Sequence, residues 1–342
     1  MFNKKLSLFL LLAIALLQVN AFAKEVKKTG TTAAKFLSIG IGPRANAMGG
    51  AFTSIANDAT AMYWNPAGIS MLERYEATFS YTKLFADVNL NYFGVAVPMG
   101  EAGTLGFQVT ALNYGDMEVT TEQFEDGTGE IFNAGSYAFG LTYARTITED
   151  FMVGINIKYI REDIYNSSAD GLAFDVGTIF KTPFWGIRFS SSISNYGTKM
   201  QMGGDDLLIR HDPDPTRAGN NQTVDAYYST EQFDLPLKLQ IGLSKDIQFL
   251  DNNRLTLSVD AAHPNDNEQY VNIGGELALL NELIFLRGGY KALGLADSQE
   301  GLTLGVGLNY AGLDVIAISV DYAYQQFDFL GNTHSFGVLL KF

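Results

Sequence analysis

The sequence predicts an all-β protein: a transmembrane antiparallel β-barrel of about 14 strands, plugged by its N-terminal segment. Three observations lead to this class. From about residue 75 onward, segments of about ten residues alternate apolar and polar positions between turn residues. The links between segments alternate short and long, as in barrels whose two ends face different compartments. The chain also ends in a strand whose last residue, Phe342, is aromatic.

At the N-terminus, Lys4 and Lys5 precede an apolar run over residues 6–19, and Ala21-Phe22-Ala23 supplies a small-x-small cleavage site. Residues 1–23 therefore read as a secretion signal. No later window approaches ~18 consecutive apolar residues, so the mature chain is not a helical membrane protein and is either soluble or a spanning barrel. The absence of cysteine excludes a lipoprotein anchor, a disulfide framework and a thiolate metal site. A formal charge of −14 argues against a nucleic-acid partner, which requires a basic stripe. The acids concentrate: residues 115–134 carry Asp116, Glu118, Glu122, Glu125, Asp126 and Glu130 without a Lys or Arg, the pattern of a solvated loop.

Residues 42–68 lack strand alternation and are crowded with Gly and Ala; they form the heart of the expected plug, residues 24–74. Small residues at Gly49, Gly50, Ala59 and Ala61 allow backbone to pack closely on the barrel wall. A short helix is expected over residues 57–64, ended by Pro66. Arg44 and Asp58 are the ionisable residues of this core, where buried charge is tolerated when paired. The segment reads either as a gate that moves when cargo binds or as a fixed stopper.

Strands are expected at residues 76–83, 89–98, 103–113, 136–146, 151–161, 171–181 and 185–195, then at 235–245, 254–262, 270–279, 283–292, 301–310, 313–325 and 335–342. Short links fall at 100–102, 147–150, 182–184, 280–282 and 311–312, and the longer ones between them include 114–135, 196–234 and 326–334. One strand face carries runs such as Ile155, Ile157 and Tyr159, or Leu304, Val306 and Leu308, with no charge. A Lys or Arg there would cost ~2–4 kcal/mol at the bilayer midplane. The charges fall on the other face, at Lys158, Asp175, Arg188, Lys238, Asp260, Glu276 and Asp321, and would line the lumen. Lys158, Asp175 and Arg188, from neighbouring strands, read as a lumen charge cluster. Gln108, Thr110, Asn156, Ser190 and Ser192 make the lumen wall polar, whereas Phe36, Leu37, Met48, Phe52 and Met62 of the plug are apolar.

A soluble β-sandwich would alternate equally well. The small polar residues of the inner face favour the barrel, as do Tyr143, Tyr159, Trp185, Tyr310, Tyr322 and Tyr324 near strand ends, where aromatic girdles belong. The last strand places Phe336, Val338, Leu340 and Phe342 on one face with Gly337 between them. It resembles the C-terminal signal by which the barrel-assembly machinery recognises outer-membrane barrels, read here at Gly337, Leu340 and Phe342.

Longer motifs carry a family resemblance. Gly42-x-Arg44-Ala45, Met48-Gly49-Gly50-Ala51-Phe52 and Ala56-Asn57-Asp58-Ala59-Thr60-Ala61-x-Tyr63-Trp64-Asn65-Pro66-Ala67-Gly68 resemble the N-terminal signature of the PorV/PorQ family of outer-membrane proteins. Leu112-Asn113-Tyr114-Gly115, Lys158-Tyr159-Ile160, Ala173-Phe174-Asp175-x-Gly177 and Ser194-Asn195-x-Gly197 resemble its strand motifs. That family is similar in fold to the fatty acid channel FadL, a fourteen-stranded barrel whose N-terminal plug carries the Asn-Pro-Ala matched by Asn65-Pro66-Ala67. The resemblance implies the outer membrane of a Gram-negative-type bacterium and a type IX secretion role, in which the barrel binds the C-terminal domains of secreted proteins and hands them to the surface attachment machinery. The alternative it implies is a FadL-like channel for uptake of a hydrophobic small molecule. The loop over residues 196–234 matches no family pattern.

No catalytic site is expected. His211, His263 and His334 fall at outer loops or strand ends, and His263 and His334 with Ser335 are the only arrangement that resembles a nucleophile with its bases. Asp205, Asp206, Asp212 and Asp214 lack the Gly-centred loop with a closing Glu that Ca²⁺ requires, and no phosphate-cradling motif is present, so neither metal nor cofactor is expected. The expected partners are outer-membrane lipid, the assembly machinery and either exported cargo or an apolar solute.

Overall fold

Period-two alternation along fourteen long strands closes one sheet on itself. The computed structural model describes residues 30–342 apart from 218, 220–222, 251, 297, 311–315 and 330. The expected secretion signal lies outside the described residues. The barrel strands are β1 Glu76–Lys83, β2 Asn89–Pro98, β3 Thr104–Glu118, β4 Ile131–Thr148, β5 Phe151–Ile164, β6 Ser167–Lys181 and β7 Ile187–Gly197. After a long loop follow β8 Lys238–Phe249, β9 Asn253–Pro264, β10 Tyr270–Leu279, β11 Ile284–Leu293, β12 Glu300–Tyr310, β13 Ala317–Phe327 and β14 Thr333–Lys341. Each pairs antiparallel with its sequence neighbours, and β14 closes on β1 from Glu76 opposite Lys341 to Lys83 opposite His334.

The two faces divide by solvent. Outward-pointing Leu141, Ile155, Ile157, Leu304, Val306 and Leu308 are between 47% and 65% exposed, while inward Lys158, Asp175, Asp260 and Glu276 are at most 7% exposed. This is an apolar outside around a filled polar inside, which is the barrel and not the sandwich solution of the same alternation. Phe336, Val338, Leu340 and Phe342 also point outward, and Phe342 exchanges two backbone hydrogen bonds with Tyr75 at 3.0 and 3.1 Å.

The rim is uneven. Strands β3 to β6 run past their expected outer ends, pairing Asp116 with Asn133, Glu118 with Ile131 and Ile164 with Ser167. Part of the expected acidic loop is therefore β-ribbon. Beyond the lipid no apolar face is required, so the alternation that marks a spanning strand is lost there although pairing continues. Within the long loop, residues 200–201 pair with 232–233 and 208–211 with 224–227, and Ser167 and Ser168 of β6 pair with Gly204 and Gly203.

Residues 30–75 precede β1 and run through the lumen from the long-loop mouth to the short-turn end. Ala33 meets Asp234 in the long loop, Pro43 packs on Gly337 of β14, Pro66 on Gly154 of β5, and Ser70 reaches Thr146 at the inner end of β4. Regular structure here is brief: a 3-10 turn Lys35–Ser38, helix α1 Pro43–Ala47, helix α2 Ala61–Trp64 and a 3-10 stretch Pro66–Met71. The helix expected over residues 57–64 is thus confined to its last turn. The Asp58 carboxylate accepts from the Thr60 backbone N–H at 2.9 Å and from the Thr60 hydroxyl, a local turn that competes with helix. Pro66, expected as a helix stop, opens the following 3-10 stretch, with Asn65 capping it.

Candidate functional site

Towards the short-turn end, the N-terminal segment is clamped to the wall by charge. Proline at the first turn fixes the direction of α1 and presents Arg44 to β10. Arg44 Nε donates to Glu276 Oε2 at 2.9 Å and Nη2 to Oε1 at 3.1 Å, a two-pronged contact. Its Nη1 donates to Asp58 Oδ2 at 2.9 Å and to Asn57 Oδ1 at 2.7 Å. Between the two carboxylates of Glu276 and Asp58 the buried guanidinium has an ion-pair partner on each side. Glu276 is fully buried and also accepts from Arg287 at 2.8 Å and from Arg254 at 3.3 Å. The sequence marks Arg44 and Asp58 as the ionisable residues of this segment; the structure sets them 2.9 Å apart and adds Glu276 as the wall partner.

Midway, backbone lies directly on the strands. Met48 is fully buried; Gly49, at φ 64°, would bring a Cβ within 2.9 Å of the Tyr290 backbone, and Gly50 faces Asn272 and Trp64. Asp260 of β9 takes the Phe52 and Thr53 N–H groups at 3.0 and 2.9 Å and the Thr53 hydroxyl at 2.6 Å. Asn65 Nδ2 donates to the carbonyls of Thr53 and Thr178 at 3.0 and 3.1 Å, and its Oδ1 accepts from Ala67 N–H at 3.2 Å. A Cβ on Gly177 would overlap Asn65, and one on Gly68 would overlap the Ala56 carbonyl, so both glycines are required by close approach.

The strand motifs converge on one knot. Asp175 accepts from Lys158 at 2.8 Å, from Asn156 at 2.8 Å and from the Asn195 N–H at 2.7 Å, and Lys158 also bonds the Asn195 side chain. Arg188 does not join them. It pairs with Asp246 at 2.9 and 3.0 Å, because the β6–β7 register sets it opposite Lys181 at the inner end of the barrel.

At the long-loop mouth the lumen becomes apolar, which the inner-face residues singled out above did not foretell. Phe36 and Leu37 join Leu90, Tyr92, Ile160 and Met200 in a buried cluster. Between Leu37, Tyr63, Gln108, Lys158 and Asp175 there remains a cavity of about 10 Å³, room for about one water. His334 Nδ1 lies 2.8 Å from the Tyr322 hydroxyl, whereas Ser335 faces the lumen and bonds Thr82 at 2.9 Å and Asn46 at 3.3 Å; His263 is exposed on β9. Alternation along β14 separates His334 from Ser335.

A sequence model of the family described as Type IX secretion system protein PorV matches residues 22–195. The chain belongs to the PorV family. The matched stretch contains Arg44 and Asp58, the Asn65 contact, and Lys158, Asp175 and Asn195 of the knot, while Glu276, the wall partner of Arg44, lies beyond it. Among solved structures, the Pseudomonas putida toluene transporter TodX is 11% identical with a TM-score of 0.56, covering 88% of this chain and 96% of that one. The Ralstonia pickettii toluene transporter TbuX is 12% identical with a TM-score of 0.54, covering 88% and 97%. A Pseudomonas aeruginosa FadL homologue is 12% identical with a TM-score of 0.54, covering 88% and 96%. At such identities the likeness is one of fold, and the fold is FadL-like. No curated protein matches. A PorV-family chain in a FadL-like barrel is an outer-membrane protein of a Gram-negative-type bacterium, and its outward apolar face contacts lipid.

Proposed function

We propose that this barrel is a non-enzymatic component of type IX protein secretion and surface attachment, which binds the C-terminal domain of an exported protein at its long-loop mouth. In this reading residues 24–74 are a plug, Arg44, Asp58 and Asn65-Pro66-Ala67-Gly68 hold it in place, and Gly337, Leu340 and Phe342 serve recognition by the barrel-assembly machinery. The observation that carries the reading is the filled lumen. Residues 30–72 run from one end to the other, and the cavity beside Tyr63 holds only about 10 Å³, which supports the mouth as the surface offered to a partner. The raised rim of β3 to β6 and the strands of the long loop give that mouth an extended-chain character suited to a protein segment.

The second reading, uptake of a hydrophobic small molecule, is favoured by the apolar cluster around Phe36 and Leu37, which would take an apolar solute if the segment moved. Mass spectrometry of material that co-purifies with the barrel in mild detergent separates the two. Secreted proteins sharing one kind of C-terminal domain are the expected result; an apolar small molecule without a protein partner would replace the first reading with the second.

A further inference from the structure

Residues 32–39 are held at the mouth as a bound peptide is held. Thr32 forms a parallel bridge with Asp234, and Ala33 N–H donates to the Asp234 carbonyl at 3.0 Å. Ala34 N–H donates to Glu162 Oε2 at 3.0 Å, and Thr32 Oγ1 and Lys35 Nζ share Asp266 Oδ2. Phe36 and Leu37 anchor in the apolar cluster, and the Tyr63 hydroxyl lies 2.9 and 2.8 Å from the carbonyls of Leu37 and Ile39. One parallel bridge at Thr32 leads into the 3-10 turn Lys35–Ser38, which sets a cation subsite beside an apolar subsite.

The fit is incomplete in ways the Arg44 clamp is not. The Asp266 side chain is 1% exposed, yet its Oδ1 has no hydrogen-bond partner. Ala34 sits in the left-handed region at φ 49°, where a non-glycine residue is strained. The Lys35 side chain is 55% exposed, so solution reaches the cation subsite. We propose that the long-loop mouth is a peptide-binding site occupied in cis by residues 32–39, and that a peptide carrying a basic residue directly before two apolar residues exchanges with that segment. The inference deepens the secretion reading and rests on it for the peptide's source, an exported protein. Arginine fits better than lysine, since its fork would satisfy both Asp266 oxygens.

The chain has no cysteine, so a nitroxide on Thr31→Cys in the mature full-length barrel reports the segment without background. The probes are a synthetic peptide of residues 31–40, the same peptide with arginine in place of its lysine, and a scrambled control. The first peptide should raise the mobile fraction of the spectrum, the arginine peptide should do so at about tenfold lower concentration, and D266N should erase that difference. A spectrum that no peptide changes, or that the scrambled peptide changes equally, overturns the site. An independent measurement is direct binding of the fluorescein-labelled peptide: F36A, which weakens the resident anchor, should bind it at least about tenfold more tightly than the unsubstituted barrel, and equal affinity would overturn the exchange. Failure here is distinct from failure of the secretion reading: cargo that still co-purifies with D266N in undiminished amount would keep the secretion role and remove this site from it.

Discussion

Replacing Arg44 by alanine tests whether charge clamps the N-terminal segment inside the barrel. The side chain makes two hydrogen bonds to Glu276 and one each to Asp58 and Asn57, and its guanidinium lies 5.3 Å from the Phe52 ring centroid. Removing one partner of a buried ion pair costs about 3–5 kcal/mol because the other charge is stranded. Glu276 would keep Arg287 and Arg254, so the low end, about 3 kcal/mol, applies. That loss falls on docking of α1 against β10 and not on strand pairing, so the barrel should stay folded while the segment opens more often. Met48→Cys, at a fully buried site, reads the opening by maleimide modification. With opening in rapid equilibrium, adding R44A to that background should speed modification about a hundredfold, and R44K, which keeps the charge without the fork, about tenfold. R161A, whose salt bridges lie at the exposed rim, should leave the rate unchanged. An R44A rate within about threefold of the parent, in a barrel that still migrates as folded, would refute the clamp.

Three further perturbations bear on the wall, the membrane face and the outer loop. A methyl on Gly154 would overlap the Pro66–Ala67 peptide, whereas one on Gly275 would meet Leu257 at an ordinary 3.6 Å. G154A should therefore cost about 1–3 kcal/mol by overpacking and lower the temperature at which the folded band is lost on gels, with G275A unaffected; equal behaviour would count against the packing argument. Leu141 is 65% exposed on the outward face, and L141R should lose about 2–4 kcal/mol of stability in bilayers, so full retention of stability would show that this face does not meet lipid. Asp206 accepts from the Asn166 N–H and Nδ2 at 2.9 and 3.1 Å and from the Ser167 hydroxyl at 3.1 Å. Burial there works to raise its pKa, but these bonds outweigh it and lower the value, so the stabilisation is present above the ordinary aspartate pKa and lost as pH falls through the lowered one. Protease resistance of the long loop should hold from about pH 7 to about pH 5 and fall already at neutral pH in D206N; a loss near pH 6 in the parent would contradict the sign.

The strands were legible because two different media enforce one rule. Lipid admits no charge on the outer face and the lumen must accept polar groups, so β1, β2 and β10 begin and end where alternation says they do. Alternation fails as a guide where one medium disappears. Asp116, Glu118 and Asn133 read as loop because both faces of their ribbon meet water, yet their backbones pair. The apolar outer lumen was hidden for the converse reason: Leu90 and Ile160 sit on the inner face, where polar neighbours such as Lys158 set the expectation, and only Phe36 and Leu37, distant in sequence, make their burial intelligible.

Arg188 marks the difference between a face and a place. Face follows from parity along a strand, and the parity of Lys158, Asp175 and Arg188 put all three in the lumen. Height follows from counting residues back to a hairpin, and that count was available: Arg188 lies just after the short turn that ends β6, while Asp175 lies six residues before that strand's end. At about 3.3 Å per residue, a basic group at that height cannot reach the Asp175 knot, and it finds Asp246 instead. Arg44 and Glu276 had no such count to help them, since 232 residues separate them and several inward acids would have served equally. What selects Glu276 is the convergence of Arg44, Arg254 and Arg287 around one fully buried carboxylate, a property of the closed barrel that no single strand carries.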